Sequence, residues 1–197
     1  MDIYLSMPIR EKHFILFSLV ILLVGCSNEK LSRAEVVTNY YDAFNASDFS
    51  QLVPLITDSI TIVDGDYVMP FSHDSFYEHF RWDSVFQTTY TIVELEDQNN
   101  QIVATVASSS KRYEFLKNNP LTCRFKISFE AAKITKVEAL ECPEADWNVW
   151  QKERDSLVSW VNINHPELDG FIHDLTPSGA MNYLKAIELY ENRKDVL

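Results

Sequence analysis

The stretch Ala34–Asp66, AEVVTNYYDAFNASDFSQLVPLITDSITIVDGD, constrains the fold more than any other part of the chain. Val37, Tyr40, Tyr41 and Phe44 recur at helical spacing, and Asn45-Ala46-Ser47-Asp48 ends that run, so a helix is expected over about Ser32–Asn45. Asp48 is a good N-cap for a second, short helix to about Ile56, which Pro54 limits by removing a helical N–H. Ile60, Ile62 and Asp64 then share one face of a strand, Ser59–Asp64, because side chains alternate with period two. A tyrosine from the helix and a carboxylate at the end of an apolar strand face can thus meet in one pocket. There the apolar surroundings would raise the carboxylate's pKa.

The rest of the chain follows this head in two blocks. Gly65-Asp66 turns the chain, and Ser72 or Asp74 caps a third helix in which Phe76, Phe80 and Asp83/Ser84 share a side. Long strands rich in Thr, Val, Ile and Tyr are expected over Val85–Glu96 and Gln101–Phe115, joined by Asp97-Gln98-Asn99-Asn100. In Leu121–Glu130 the alternation is cleanest, with Cys123, Phe125, Ile127 and Phe129 on one face and Thr122, Arg124, Lys126, Ser128 and Glu130 on the other. Lys133–Cys142 is its partner. Helices followed by consecutive strands imply an α+β fold, with helices on one face of a strongly bent antiparallel sheet. After Pro143 the pattern is helical: Glu144–Val161, a helix from His165-Pro166 carrying Leu168, Phe171, Ile172 and Leu175, and a last one from Thr176-Pro177. The reading divides the chain into a leader (1–25), a tether (26–32), a domain (33–142) and a C-terminal helical extension (143–197).

Arg10 and Lys12 precede the apolar run Phe14–Val24, which is too short to span a bilayer as a helix and fits the hydrophobic region of a secretory signal. The run ends Leu23-Val24-Gly25-Cys26, which resembles the bacterial lipobox. That resemblance implies lipidation of Cys26, acyl chains such as palmitate holding the protein in the membrane, and, with Ser27 next, an outer-membrane destination in the cell envelope or periplasm. Each buried methylene contributes about 0.8 kcal/mol to such anchoring. The other two cysteines, Cys123 and Cys142, would then meet an oxidising compartment. A two-residue Ala131-Ala132 loop puts Cys123 opposite Leu140 and a four-residue loop puts it opposite Cys142, so a disulfide between the two is a candidate whose register stays open.

The formal charge of −12 leaves no basic surface for phosphate neutralisation, which argues against nucleic-acid binding. Only four glycines occur, so no glycine-rich phosphate loop or dinucleotide fingerprint can be built, and no cofactor is expected. No HExxH, GxSxG or cysteine–histidine zinc spacing is present, and His73 and His79 do not share a helix face, so no metal is expected.

The order helix, helix, strand, helix, long strands, headed by YYDAFNASDFSQLVPLITDSITIVDGD, resembles the nuclear transport factor 2-like superfamily over about residues 31–142. That superfamily includes ketosteroid isomerases, polyketide cyclases of the SnoaL type and binding modules without catalysis. The resemblance implies a cone-shaped fold with a pocket. It places Tyr40 on the helix tyrosine that donates to a developing enolate oxygen, and Asp64 on the aspartate that moves the proton. Phe125 stands near the position of the isomerases' second, protonated acid, and Gly65 where proline often follows the base. Losing one oxyanion donor can cost about 3 kcal/mol of barrier. Phe44, Ile62, Phe80, Trp82, Tyr113 and Phe125, with Tyr40 and Asp64, are the candidates for pocket wall, with plain core as the alternative for the aromatics. The expectation is a lipid-anchored envelope protein whose cone binds a small hydrophobic or amphiphilic ligand or a protein partner, with a homodimer as a further expectation. The alternative is an isomerase-, dehydratase- or cyclase-type enzyme with Asp64 as general base and Tyr40 as donor.

Overall fold

The structure, a computed structural model, describes residues 31–193; the expected leader and Cys26 lie outside them. Ser32 opens the first helix, α1 (Arg33–Asn45), through a capping box with Glu35, and Asp48 caps the short α2 (Phe49–Leu52), which tightens into a 3-10 turn over Val53–Leu55. Strand β1 (Ile56–Asp64) starts three residues earlier than the alternation suggests, since Ile56 already pairs with the sheet. A strand the pattern does not reveal follows, β2 (Tyr67–Ser72), hairpinned to β1 with Asp64 opposite Tyr67. It is an edge strand, exposed at most positions and interrupted by Pro70, which is tolerated only at an edge because it donates no ladder hydrogen bond.

Helix α3 (His73–Val85) carries the chain onto the sheet face and ends on the first residue of the expected strand 85–96; a turn over residues 86–88 follows, so β3 spans Thr89–Gln98. Strand β4 ends at Ser109 instead of running to Phe115. Ser110 accepts from the Tyr113 N–H and caps a short helix, α4 (Lys111–Phe115), which takes these five residues out of the expected strand. Strands β5 (Leu121–Glu130) and β6 (Lys133–Glu141) complete a sheet of order β2-β1-β6-β5-β4-β3. It is mixed rather than antiparallel, because β6 runs parallel to β1. These two strands are far apart in sequence, and their relative direction is set by how the helices bring the chain back rather than by a hairpin.

The hairpin register has a physical resolution. Ala131 and Ala132 form a two-residue loop with φ of 46° and 69°, the left-handed values such a turn demands. For alanine each such residue costs about 1–2 kcal/mol. The pairing then shifts twice, between Ser128 and Phe129 and between Arg124 and Phe125. Those two bulges carry Cys123 from Leu140 to Cys142, and the two cysteines form a disulfide. Bulges also bend a sheet.

Two cores result. The first lies between α1, α3 and the sheet, with Val37, Ile56, Phe76, Ile127 and Ile134 fully buried. The second joins the C-terminal helices α5 (Trp147–Asn164) and α6 (Pro177–Asn192) to Phe86, Phe115 and Leu116 of the preceding chain, with Leu157, Val161 and Ala186 inaccessible. The helix expected from His165 is instead a 3-10 turn over Pro166–Leu168 followed by irregular chain, in which Leu168 and Phe171 are still buried. Their burial does not require helical periodicity.

Candidate functional site

A cavity of about 540 Å³ opens between α1, α3, the sheet and the start of α5. Its wall includes Tyr40, Phe44, Ile62, Asp64, Trp82, Tyr113 and Phe125. Phe80 is not among the lining residues; it packs in the core, 4.8 Å from Phe44 and 5.4 Å from Phe49 between ring centroids. The C-terminal extension contributes Trp147, Trp150 and Leu175 to the wall, so it covers part of the cavity without filling it.

Tyr40 and Asp64 share this cavity but not an environment. Tyr40 is buried on α1, and desolvation, aided by Tyr41 and Asp83, pushes its pKa well above the ordinary value. It is therefore a permanently neutral hydroxyl donor. Asp64 ends β1 at the rim and is exposed, not enclosed by Ile60 and Ile62 as the strand pattern suggested. Ile60 turns into the core, while the β1–β2 hairpin carries Asp64 out to water. The resemblance pairs the tyrosine with an enclosed base; the fold leaves that carboxylate solvated.

The enclosed acid is Asp83, 7% exposed, near the end of α3. Burial raises its pKa, opposed by hydrogen bonding from Tyr90, the charge of Arg112 and a 3.1 Å bond from the Thr88 hydroxyl. Tyr90 is in turn fixed from α1: the Asn45 side chain accepts from the Tyr90 N–H at 2.7 Å and donates to its carbonyl at 2.9 Å. The Tyr90 hydroxyl is pushed well above its ordinary pKa, first by burial and then by Asp83.

Two more polar groups complete this inner end. Arg112, on α4, lies over the rings of Trp82, Tyr113 and Phe86 at 4.7, 4.9 and 5.0 Å and donates to the Tyr113 hydroxyl at 3.0 Å. Burial works against its charge, but Tyr113, Tyr183 and Asp83 outweigh that, so it remains a cation. His79 stacks on Trp82 with ring centroids 6.0 Å apart, and burial together with the Arg112 charge pushes its pKa down to about 4. At neutral pH it is an uncharged imidazole.

Asp83 had a signal in the sequence: it follows Phe76 by seven and Phe80 by three, which puts an acid on the buried face of a helix. Arg112 had none, because it falls where strand alternation was expected to continue. Among the described residues no group of three or more His, Cys, Asp or Glu side chains could hold a metal, and no helix is long and apolar enough to cross a membrane.

No family model matches this sequence, and no curated protein matches it. Solved structures do. A nuclear transport factor 2-like protein of unknown function from Cytophaga hutchinsonii is 9% identical, covering 57% of this chain and 92% of its own, with a TM-score of 0.47. An uncharacterised cystatin-fold protein from Novosphingobium aromaticivorans is 16% identical, covering 56% and 99%, also at 0.47. SalBIII, an epoxide hydrolase/cyclase-like enzyme with a role in pyran ring formation in the polyether salinomycin, is 19% identical, covering 55% and 88%, again at 0.47. By the order of its helices and strands, the chain is an α+β protein in which helices pack on a six-stranded mixed sheet and further helices follow at the C-terminus, and the solved structures it resembles include nuclear transport factor 2-like proteins.

Proposed function

We propose that this protein is a lipid-anchored component of the bacterial envelope whose cone pocket binds a small amphiphilic ligand without chemically altering it. The observation that carries the binding reading is the cavity itself. Its volume is in the range of small-molecule sites, its wall is mainly aromatic and apolar, and its polar groups are few. The anchoring reading is supported by the run Phe14–Val24 ending at Cys26 and by the Cys123–Cys142 disulfide, a bond that persists in oxidising compartments.

Two measurements test this. Growth of the producing cell with labelled palmitate should label the native chain and leave a Cys26→Ser variant unlabelled; equal labelling overturns the anchor. Amphiphiles added to the purified chain should quench the tryptophan fluorescence of the cavity wall and raise the melting temperature. The absence of both changes across a panel of such compounds overturns the binding reading.

A second reading, an isomerase-, dehydratase- or cyclase-type enzyme with Asp64 as general base and Tyr40 as donor, is favoured by one observation. Asp83 supplies a buried acid near Tyr40, where Phe125 offers none. A carboxylic acid kept neutral can donate to a developing oxyanion beside a tyrosine. Turnover of an enolisable substrate that falls at least 100-fold in Asp64→Asn would establish this reading, and turnover unchanged by that substitution would sink it.

A further inference from the structure

Among the described residues, two buried side-chain polar atoms have no hydrogen-bond partner, Nδ1 of His79 and Nε of Arg112. Both belong to residues that line the same cavity. Buried polar groups are nearly always paired; these two atoms are closed off from solvent, so a cavity occupant would meet the two residues through their other nitrogens, among which Arg112 Nη1 also has no partner among the described residues. The surroundings of Arg112 specify the kind of occupant. Trp82, Phe86 and Tyr113 each lie against the guanidinium within 5.0 Å, and only its outer nitrogen to Tyr113 is spoken for. Aromatic packing holds a guanidinium by its faces and leaves in-plane N–H groups free to donate. Among the described residues Arg112 joins no ion pair, and Asp83, the nearby acid, is engaged instead with Thr88 and Tyr90.

We propose, building on the ligand-binding reading above, that the inner end of the cavity is a carboxylate subsite. The Arg112 fork takes the carboxylate head of an amphiphile, His79 adds a contact from the side, and the apolar body of the ligand lies along the aromatic wall toward the rim. The planar N–H pair of arginine matches a carboxylate with two parallel hydrogen bonds. A monocarboxylate fits better than a multiply charged anion for two reasons. One cation faces the cavity beside a buried acid, and the chain as a whole carries −12, so affinity must come from the apolar body and orientation from the head.

The test uses the full purified chain and two acid–alcohol pairs at about pH 7.5, where the acids are ionised and the alcohols are not. The pairs are decanoate with decan-1-ol, a flexible body, and 2-naphthoate with 2-naphthol, a rigid aromatic one. Binding is followed by calorimetry. At least one acid should bind tenfold or more tightly than its own alcohol; which pair shows the preference tells an alkyl acid from an aromatic acid. Arg112→Gln should abolish that preference while the alcohol binds within threefold of its native affinity, a result that general unfolding cannot imitate. Should that variant fail to fold, Arg112→Lys, which keeps the charge but loses the fork, must still lower the acid-to-alcohol ratio. Equal binding of acid and alcohol to the native chain, or an unchanged ratio in both variants, overturns the subsite, with the binding reading intact. If no acid and no alcohol binds, the pocket reading fails and takes the subsite with it.

Discussion

The two ends of the cavity carry the same kind of group under opposite conditions. At the rim Asp64 closes a strand whose hairpin partner is an exposed edge, with Tyr67 76% and Val68 65% exposed. At the inner end Asp83 is shielded by Tyr90 and Arg112, and the ground beneath Arg112 is the second core, where Phe86 meets Tyr183 and Leu157 is inaccessible. An exposed carboxylate interacts through a high-dielectric medium, whereas a buried one feels each neighbouring dipole and charge strongly. The acid that feels low-dielectric surroundings here is therefore the one on a buried helix face, not the one that ends a strand.

Substitutions at the two ends test this contrast. The largest effect is expected beneath the inner end: Leu157→Ala should cost about 2–5 kcal/mol in denaturant unfolding, through lost burial and the cavity left behind. Val68→Ala at the rim should change stability by no more than about 0.5 kcal/mol. Equal costs at the two places would erase the distinction.

His79 gives the next effect, and its sign is fixed. Its folded pKa, about 4, lies below the ordinary 6.5, so the unfolded chain binds the extra proton first as pH falls. The stability this group contributes is present above pH 6.5 and is lost on the way down to about pH 4, by up to about 3 kcal/mol. Asp83, with its pKa raised, acts in the opposite sense, because stability there falls as pH rises past its unfolded value of 3.8. The native chain minus a His79→Gln variant should isolate the histidine slope, and parallel pH profiles for the two would contradict it.

Replacing Cys123 and Cys142 together by alanine removes a cross-link spanning 19 residues on the cavity wall. The expected loss is about 2–3 kcal/mol, read from the unfolding midpoint with and without reductant. The smallest effect belongs to the rim: Asp64→Asn should shift stability by less than about 0.5 kcal/mol at any pH from 4 to 8. A larger, pH-dependent change would mean that Asp64 is enclosed after all.

Much of the scaffold was legible because its causes are local. The helical spacing of Val37, Tyr40, Tyr41 and Phe44 and the Asp48 cap announce α1 and α2, and the alternation of Cys123, Phe125, Ile127 and Phe129 describes β5. Strand β2 was illegible because an exposed edge strand needs no alternation. The end of β4 was obscured because Thr, Val, Ala and Ser continue into a segment that a single serine cap turns into helix. The disulfide register was undecidable from loop length alone, since the two bulges that resolve it have no composition signature.

Periodicity and caps, which act within a few residues, announced α1, α2, α3, α5, α6 and the cores of the long strands β3 to β6. The tertiary structure alone decided that Asp83 rather than Asp64 is the enclosed acid, and that Arg112 and His79 stand beside it. Burial of a charge depends on what distant segments lay over it. The helical spacing from Phe76 and Phe80 puts Asp83 on a buried face, but its neighbours Tyr90 on β3 and Arg112 on α4 come from later segments that no spacing near Asp83 or Asp64 records.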